Sequence, residues 1–433
     1  MINLEKKTPY QGYLYSYPHK TAYREFETPI SLKKAWSDEN RSALFFYLHI
    51  PFCESKCGFC NLFSVCRPDQ EIVDRYLVAV EKQIEAVKEY LGVFRCARYA
   101  IGGGTPSYLT EKQLEKTLDM FGDLTGFNSQ IPGSFETSPG TLTKEKLKLL
   151  KERGVQRISI GVQSFNKSES SSISRSQNIE TVHASLEAIS NFNFKTLNID
   201  LIYGISGQTS ESFCDSIKTA LKYEPEELYL YPLYIRTLTK LKGKKRSDEA
   251  LLIYESGRDF LLENGYNQNS MRMFVKNDSK NETSPNYCCQ EDGMIGLGTG
   301  ARSYTKNMHY STPYAVSKKA SLDIIESFIN RTSSDHSNAE FGFMLDENEK
   351  KRRYLIKSIL QSSGLDKVQY ESFFNSDFMD DFPELANLAE KGFADISNGT
   401  MKLTQTGIAY SDAIGPALIS SSVRDRMKEY ENI

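Results

Sequence analysis

The stretch YLHIPFCESKCGFCNLF, residues 47–63, decides how the chain is read. It carries Cys53, Cys57 and Cys60 in a C-x3-C-x2-C spacing, in a loop after the apolar run from Leu44 to His49. Thiolates are soft ligands that select zinc, copper(I) or iron–sulfur clusters. A zinc loop is usually completed by a second Cys or His pair. The later close pair, Cys288 and Cys289, is adjacent in sequence and ill suited to chelating one ion. A fully ligated iron–sulfur cluster takes four thiolates. Three leave one iron without a protein ligand, and an open position is what a catalytic metal site needs.

Outward from this loop, short apolar runs alternate with longer amphipathic ones. FFYLHI precedes the helical stretch 71–91, RYAIGGG precedes 110–121, and GSFET precedes 143–154. QRISIGVQS precedes 178–192, KTLNIDLIYG precedes 210–223, and ELYLYPL closes the series near residue 233. Strands alternating with helices at this spacing predict βα units on a parallel sheet. Six units fall short of the eight that close a full barrel. The expectation is therefore α/β, an open partial (β/α)6 TIM-like barrel over 44–237. Sites in such folds lie at the C-terminal ends of the strands.

The flanks are read separately. Residues 1–43 form a polar, tyrosine-rich arm with little periodicity, including Tyr15, Tyr17, His19, Lys20, Tyr23 and Arg24. Trp36 sits in a short amphipathic segment as a core anchor. Residues 238–340 read as a barrel extension: a basic loop, a helix ending at Gly265, the strand RMFVK, a loop, the glycine-rich IGLGTGARSY and a further helix. Residues 341–433 read as a C-terminal unit. Helices are followed by a hairpin turning at Asn398-Gly399, a winged-helix-like arrangement.

Composition narrows the function classes. The chain has 433 residues, 39% hydrophobic and 25% charged, with a net charge of −3. That is an ordinary globular balance without the basic footprint of a nucleic-acid binder. Eight cysteines, three of them clustered, are too sparse for a disulfide scaffold and predict a reducing, cytoplasmic setting. The opening MINLEKKTPYQGY has no basic region followed by an apolar core, and ALFFYLHIPF is too short to span a bilayer. No membrane partner is expected.

The C-x3-C-aromatic-x-C loop, with HIPFC before it and GGGTP after it, resembles the radical S-adenosylmethionine (SAM) superfamily, in its oxygen-independent coproporphyrinogen III oxidase-like (HemN-like) branch. The resemblance runs from the tyrosine arm to the C-terminal unit. It implies that Cys53, Cys57 and Cys60 hold a [4Fe–4S] cluster whose fourth iron is chelated by SAM. Reduction of the bound SAM then yields a 5′-deoxyadenosyl radical. It implies SAM contacts at Gly103, Gly104 and Thr105. Glu136 and Arg175 are placed at the methionine end, and Gln163 and Asp200 on the ribose hydroxyls. Tyr47 and Phe59 flank the cluster, as SAM-packing aromatics or as ordinary core residues. Gln290 and Arg302 are candidates for a second SAM site along the glycine-rich segment, so one or two SAM molecules are implied. A small-molecule substrate and an electron donor such as flavodoxin or ferredoxin complete the implied partners.

The departures concern the substrate. Coproporphyrinogen-oxidising members carry a fourth cysteine two residues after the third ligand; Leu62 stands there, and Cys66 is offset and expected not to ligate. The haem-chaperone members carry a His-Asn-x-x-Tyr-Trp stretch; Thr283–Cys288 lacks its His and Trp. Four readings remain: a radical SAM enzyme on an unidentified substrate, the coproporphyrinogen III oxidase of porphyrin biosynthesis, a two-SAM methyltransferase or cyclopropanase, and a haem-binding delivery protein.

Overall fold

A computed structural model describes residues 8–14, 16–128, 130–175, 177–236, 239–277 and 287–431. Tyr15 of the arm and residues 283–286 of the Thr283–Cys288 stretch lie outside these. The centre is a run of six parallel strands: β1 (Leu44–Ile50), β2 (Cys96–Gly103), β3 (Gly133–Thr137), β4 (Arg157–Gln163), β5 (Thr196–Tyr203) and β6 (Glu227–Pro232). They stand side by side in chain order, as the alternation of runs predicts. Their apolar side chains are buried because helices cover the outer face, which is why the strands read as nearly continuous hydrophobic runs.

Five long helices cross over between them: α1 (Gln70–Leu91), α2 (Glu111–Thr125), α3 (Lys144–Glu152), α4 (Ile179–Phe192) and α5 (Ser210–Leu221). Four start on a side chain that accepts a hydrogen bond from the first turn: Thr110, Thr143, Asn178 and Thr209. Each such cap contributes about 1 kcal/mol and fixes where the loop ends. The strand-to-helix loops are thereby held in place, and these are the loops that carry the candidate site residues.

The sheet does not stop at the six strands. Met294–Leu297 joins the free edge of β1 in parallel. Arg302–Tyr304, Met308–Ser311 and Asn338–Met344 continue antiparallel, and Arg24–Ser31 of the arm closes the row. On the other edge Met273–Lys276 and Tyr266–Gln268 follow β6. The arm thus contains a strand where its sequence reads as lacking regular structure. Five of its eight residues are exposed and only Phe26 and Ile30 are apolar and partly covered, with Pro29 between them, so the apolar alternation that would announce it is weak.

Trp36 is fully buried and donates from its indole to Tyr310 at 3.0 Å. A second core forms around the C-terminal unit, where helix Glu347–Ile359 packs with Tyr17, Ala22 and Tyr23 of the arm. The hairpin Ala394–Ser397 and Thr400–Leu403 pairs Ser397 with Thr400 across the Asn398-Gly399 turn, and Leu365–Asp366 adds a third strand. Among the described residues no helix is long and apolar enough to cross a membrane.

Candidate functional site

The C-terminal ends of the strands open onto a cavity of about 480 Å3. Cys53, Cys57, Phe59, Cys60 and Leu62 line it from the first loop, Gly103, Gly104 and Thr105 from the second, and Glu136, Gln163, Arg175 and Asp200 from later ones. Most of the candidate residues therefore meet in one place. Among the described residues, no three His, Cys, Asp or Glu side chains close on a single ion. The thiols face a space shared with polar groups, which suits a cluster with a cofactor beside it better than one enclosed metal ion.

Two glycines make the approach possible. A Cβ on Gly104 would lie 2.9 Å from Cys53 Sγ and 2.7 Å from the Phe52 carbonyl oxygen. One on Gly102 would lie 2.6 Å from Glu136 Oε2. The second loop can press against both the cysteine loop and β3 only because these side chains are missing. Glu136 accepts from the Gly103 amide at 3.0 Å, and the Thr105 hydroxyl points at Cys53 Sγ at 3.6 Å. Gly58 donates to the Ile173 carbonyl at 2.9 Å, which ties the cysteine loop to the segment before Arg175.

Arg175 sits across the three thiols' side of the cavity. Its guanidinium donates to Cys57 Sγ at 3.2 Å, to Gln177 at 2.8 Å and to the Gly161 carbonyl. Gln163 has a positive φ of 72°, and the register of β4 shifts there, so a bulge turns its side chain toward the cavity end of the strand. Asp200 accepts from Asn198 at 2.8 Å and from Ser159 at 3.5 Å. Behind them Arg157 bridges β4 to β6 through Glu227 at 2.8 Å and to Ser134 of β3 at 2.9 Å.

Desolvation sets the electrostatics. It pushes Glu136 up to about 7, against the Gly103 amide, although the side chain is open to the cavity. It pushes Asp200 up to about 6, opposed by Asn198 and Arg157. Burial brings His49 down to about 4, so the ring is neutral at pH 7. Its Nε2 then donates to the Phe63 carbonyl at 3.0 Å and its Nδ1 accepts from Tyr47 at 3.1 Å. This pair braces the base of the cysteine loop; the HIPFC motif contained it, but only the geometry shows its task. Phe59 packs against Ile173, Ile202, Ile205, Leu233 and Leu241 while lining the cavity.

Four further residues gain a setting from the geometry. Cys66 is offset in sequence, yet it pairs with Cys53 in the register of two short strands, which brings the two thiols near each other. The neighbouring Cys66 thiol, then burial, raises Cys53; the Cys53 thiol, helped by Lys56, Lys240 and Lys318, brings Cys66 down to about 7. Gln290 does not line the cavity: its amide donates to Ser358 of the C-terminal unit at 3.4 Å, and the Cys288 and Cys289 thiols donate to its carbonyl. Arg302 parts from it, donating to Ser16 at 3.2 Å and facing the Tyr47 hydroxyl. Arg24 turns away to Glu429 at 3.0 Å.

Beside the cysteine loop a cationic group forms that sequence reasoning gave only in part. Lys20 lies 3.2 Å from the centre of the Tyr314 ring, and Tyr314 donates to the Asn61 carbonyl. Arg302 and Arg236 are close enough to press the Lys20 ammonium toward its neutral form, after desolvation, and Cys60 is near enough to oppose them. Arg236 Nε is buried and has no partner among the described residues. Arg236 carried no motif, so only its position after β6 could have drawn notice.

Known proteins resemble the chain at two scales. Residues 47–220 match the family model of the Radical SAM superfamily. The oxygen-independent coproporphyrinogen III oxidase of Helicobacter pylori (strain J99) is 28% identical, over 94% of either chain. The Heme chaperone HemW of Bacillus subtilis is 28% identical, over 83% of this chain and 95% of its own. The solved structure of coproporphyrinogen III oxidase (HemN) from Escherichia coli, a radical SAM enzyme, superposes with a TM-score of 0.80 at 26% identity. It covers 93% of this chain and 96% of the other.

Proposed function

We propose that the chain is a radical SAM enzyme of the coproporphyrinogen III oxidase-like branch, which its similarity to that family supports, with a specific division of labour around its cavity. Enzymes of this family use a [4Fe–4S] cluster and SAM, and the residues present suit both. Cys53, Cys57 and Cys60 are the cluster ligands. Glu136, held on the Gly103 amide, and Arg175 receive the amino and carboxylate groups of SAM; Gln163 and Asp200 receive the ribose hydroxyls. The observation that carries this reading is the shared cavity: three thiols, a glycine cradle, the polar side chains Glu136, Gln163 and Asp200 of three successive strands and Arg175 from the connection after β4 face one volume.

When bound, the cluster supplies the electron that splits SAM into methionine and a 5′-deoxyadenosyl radical, the hydrogen abstractor. The protein's own residues position and enclose. Arg175 orients by forked hydrogen bonding. His49 and Tyr47 hold the loop base. A flavodoxin or ferredoxin is the donor class.

The substrate is a small molecule bearing anionic groups. Lys20, Arg236 and Arg302 converge beside Cys60 and Tyr47, and like charges brought together in a half-buried place call for an anion. This observation also favours coproporphyrinogen III, a tetracarboxylate, as second reading. Leu62 in place of the fourth cysteine weighs against decarboxylation of it. Gln290 turned toward Ser358 removes one of two contacts from the second-SAM reading.

Anaerobic incubation of the reduced, reconstituted protein with cell extract and labelled SAM, followed by mass spectrometry, tests the substrate class. The expected substrate carries carboxylate or phosphate groups, and Lys20→Ala and Arg302→Ala lower its turnover while cluster content is kept. A neutral substrate, or turnover indifferent to both changes, contradicts the reading.

A further inference from the structure

We infer that the face behind the cysteine loop is the docking surface for an acidic one-electron carrier protein. Its centre is a second depression of about 410 Å3, lined by Glu54, Lys56, Cys66, Arg67, Lys240 and Lys318 among others. It shares Glu54, Ser55, Lys56 and Ser64 with the cofactor cavity, so one turn of chain separates the two. Cys66 in its lining is the cross-strand partner of the ligand Cys53.

The charge there is out of keeping with the chain. The protein carries a net −3, yet Lys240, Lys242, Lys244, Lys245 and Arg246 fall within seven residues with no Asp or Glu between them. That loop is clamped to the cysteine loop: Leu241 donates its amide to the Gly58 carbonyl at 3.3 Å, and the Lys240 ammonium reaches the Lys56 carbonyl at 3.5 Å. Lys244 donates to the Ser172 carbonyl at 3.0 Å, and Lys56 to the Val316 carbonyl at 2.7 Å. Arg67 donates to the Glu54 carbonyl at 3.1 Å. These contacts fix the side chains without neutralising them. Among the described residues none of Lys56, Arg67, Lys240, Lys242, Lys244, Lys245 and Lys318 forms an ion pair. Glu54 is the one carboxylate among the lining residues.

An unpaired positive surface raises the local concentration of an acidic partner and its association rate, by about 10- to 1,000-fold at low ionic strength. Redox encounters use small, weak interfaces, which a patch of this extent supports. Position argues for a carrier over any other polyanion: the patch lies over the ligand loop, and an electron must reach the cluster from outside. One electron leaves the reduced carrier, which is oxidised by one equivalent, and enters the cluster, which is reduced by one; no bond is made or broken. This inference rests on the proposed cluster site, and its test separates the two.

The probe is flavodoxin. Binding of oxidised flavodoxin to the cluster-free protein, followed by flavin fluorescence anisotropy, is expected to weaken steeply as salt rises. The double variant Lys240→Glu/Lys318→Glu should weaken it at least about tenfold at low salt, and Lys240→Gln/Lys318→Gln by less. In the reconstituted protein the same variants should slow SAM cleavage driven by flavodoxin hydroquinone and leave cleavage driven by dithionite unchanged. Binding insensitive to salt or to charge reversal overturns the inference, and so does an equal loss with both reductants. A single-stranded oligonucleotide or phosphatidylserine vesicles binding this face more tightly than flavodoxin overturns it as well. Absence of cleavage with dithionite in the unaltered protein would instead fault the cluster site, and the binding arm would still decide the docking face.

Discussion

The cysteine side of the barrel and the opposite wall are built by different kinds of contact. Between β1 and β6 the candidate residues reach the cavity from the strand ends or from the connections that directly follow them. The wall of arm, late strands and C-terminal unit is held by partners hundreds of residues apart. Tyr17 meets Glu349, Arg272 meets Asp412, and Arg302 meets Ser16. The lesson is that the cofactor chemistry is carried by local geometry, whereas the chamber for a substrate exists only once the chain ends are assembled.

The largest effect should come from the first side. Changing Cys53, Cys57 or Cys60 to Ala should abolish the iron-dependent absorbance of the reconstituted protein, since two thiolates are too few to hold the cluster. Cys66→Ala should retain it, despite the contact with Cys53. Equal loss in Cys66→Ala would break the distinction between ligand and neighbour, and iron content with near-ultraviolet absorbance decides it.

The second side should fail by unfolding. Arg272 and Asp412 are 7% and 3% exposed, and Asp412 also accepts from Tyr234 at 2.5 Å. Asp412→Ala leaves the Arg272 charge buried without its carboxylate. A loss of about 3–5 kcal/mol is expected, read by urea denaturation, with the cysteine loop's ability to take up iron retained wherever the variant is folded. A variant as stable as the parent would show that the C-terminal unit does not depend on this pair.

Asp200→Ala should weaken SAM binding about 5- to 150-fold, the equivalent of roughly 1–3 kcal/mol for a lost buried hydrogen bond. Calorimetry on the reconstituted protein reads it, and unchanged affinity removes Asp200 from the site.

How much of this was legible follows the same division. The six βα units, the thiol spacing, the glycine cradle and Glu136, Gln163, Arg175 and Asp200 could be read because strand periodicity and strand-end position are local signals. Arg236 could not, because nothing near it in sequence marks a cation that becomes important only when Lys20 folds back from far upstream. Gln290 adjoins a glycine-rich segment in sequence, while in the fold its amide also reaches Ser358 of the helix Glu347–Ile359, a contact that local sequence does not announce. The arm strand was hidden because most of its residues are exposed, only Phe26 and Ile30 being both apolar and partly covered, and its partner lies beyond residue 337.

A smaller effect concerns pH. Folding raises Glu136 from 4.5 to about 7 and Asp200 from 3.8 to about 6, by desolvation in both. The folded protein therefore holds protons that the unfolded chain has released. This contribution is complete below the unfolded values and is lost as pH rises through 6 and 7. The cofactor-free protein should lose stability over that range, and Glu136→Gln should flatten the upper part. Denaturation midpoints from pH 5 to 8 check it; a variant with the parent's slope would place Glu136 in water.

The most direct measurement is SAM cleavage itself. The reduced, reconstituted protein is incubated anaerobically with SAM and no porphyrinogen, and 5′-deoxyadenosine is quantified by mass spectrometry, with Cys57→Ala alongside. The expected result is 5′-deoxyadenosine from the parent, none from the variant, and little or no protoporphyrinogen IX when coproporphyrinogen III is added. No 5′-deoxyadenosine from the parent, together with haem retained tightly on purification, would contradict the enzyme reading and favour delivery of haem.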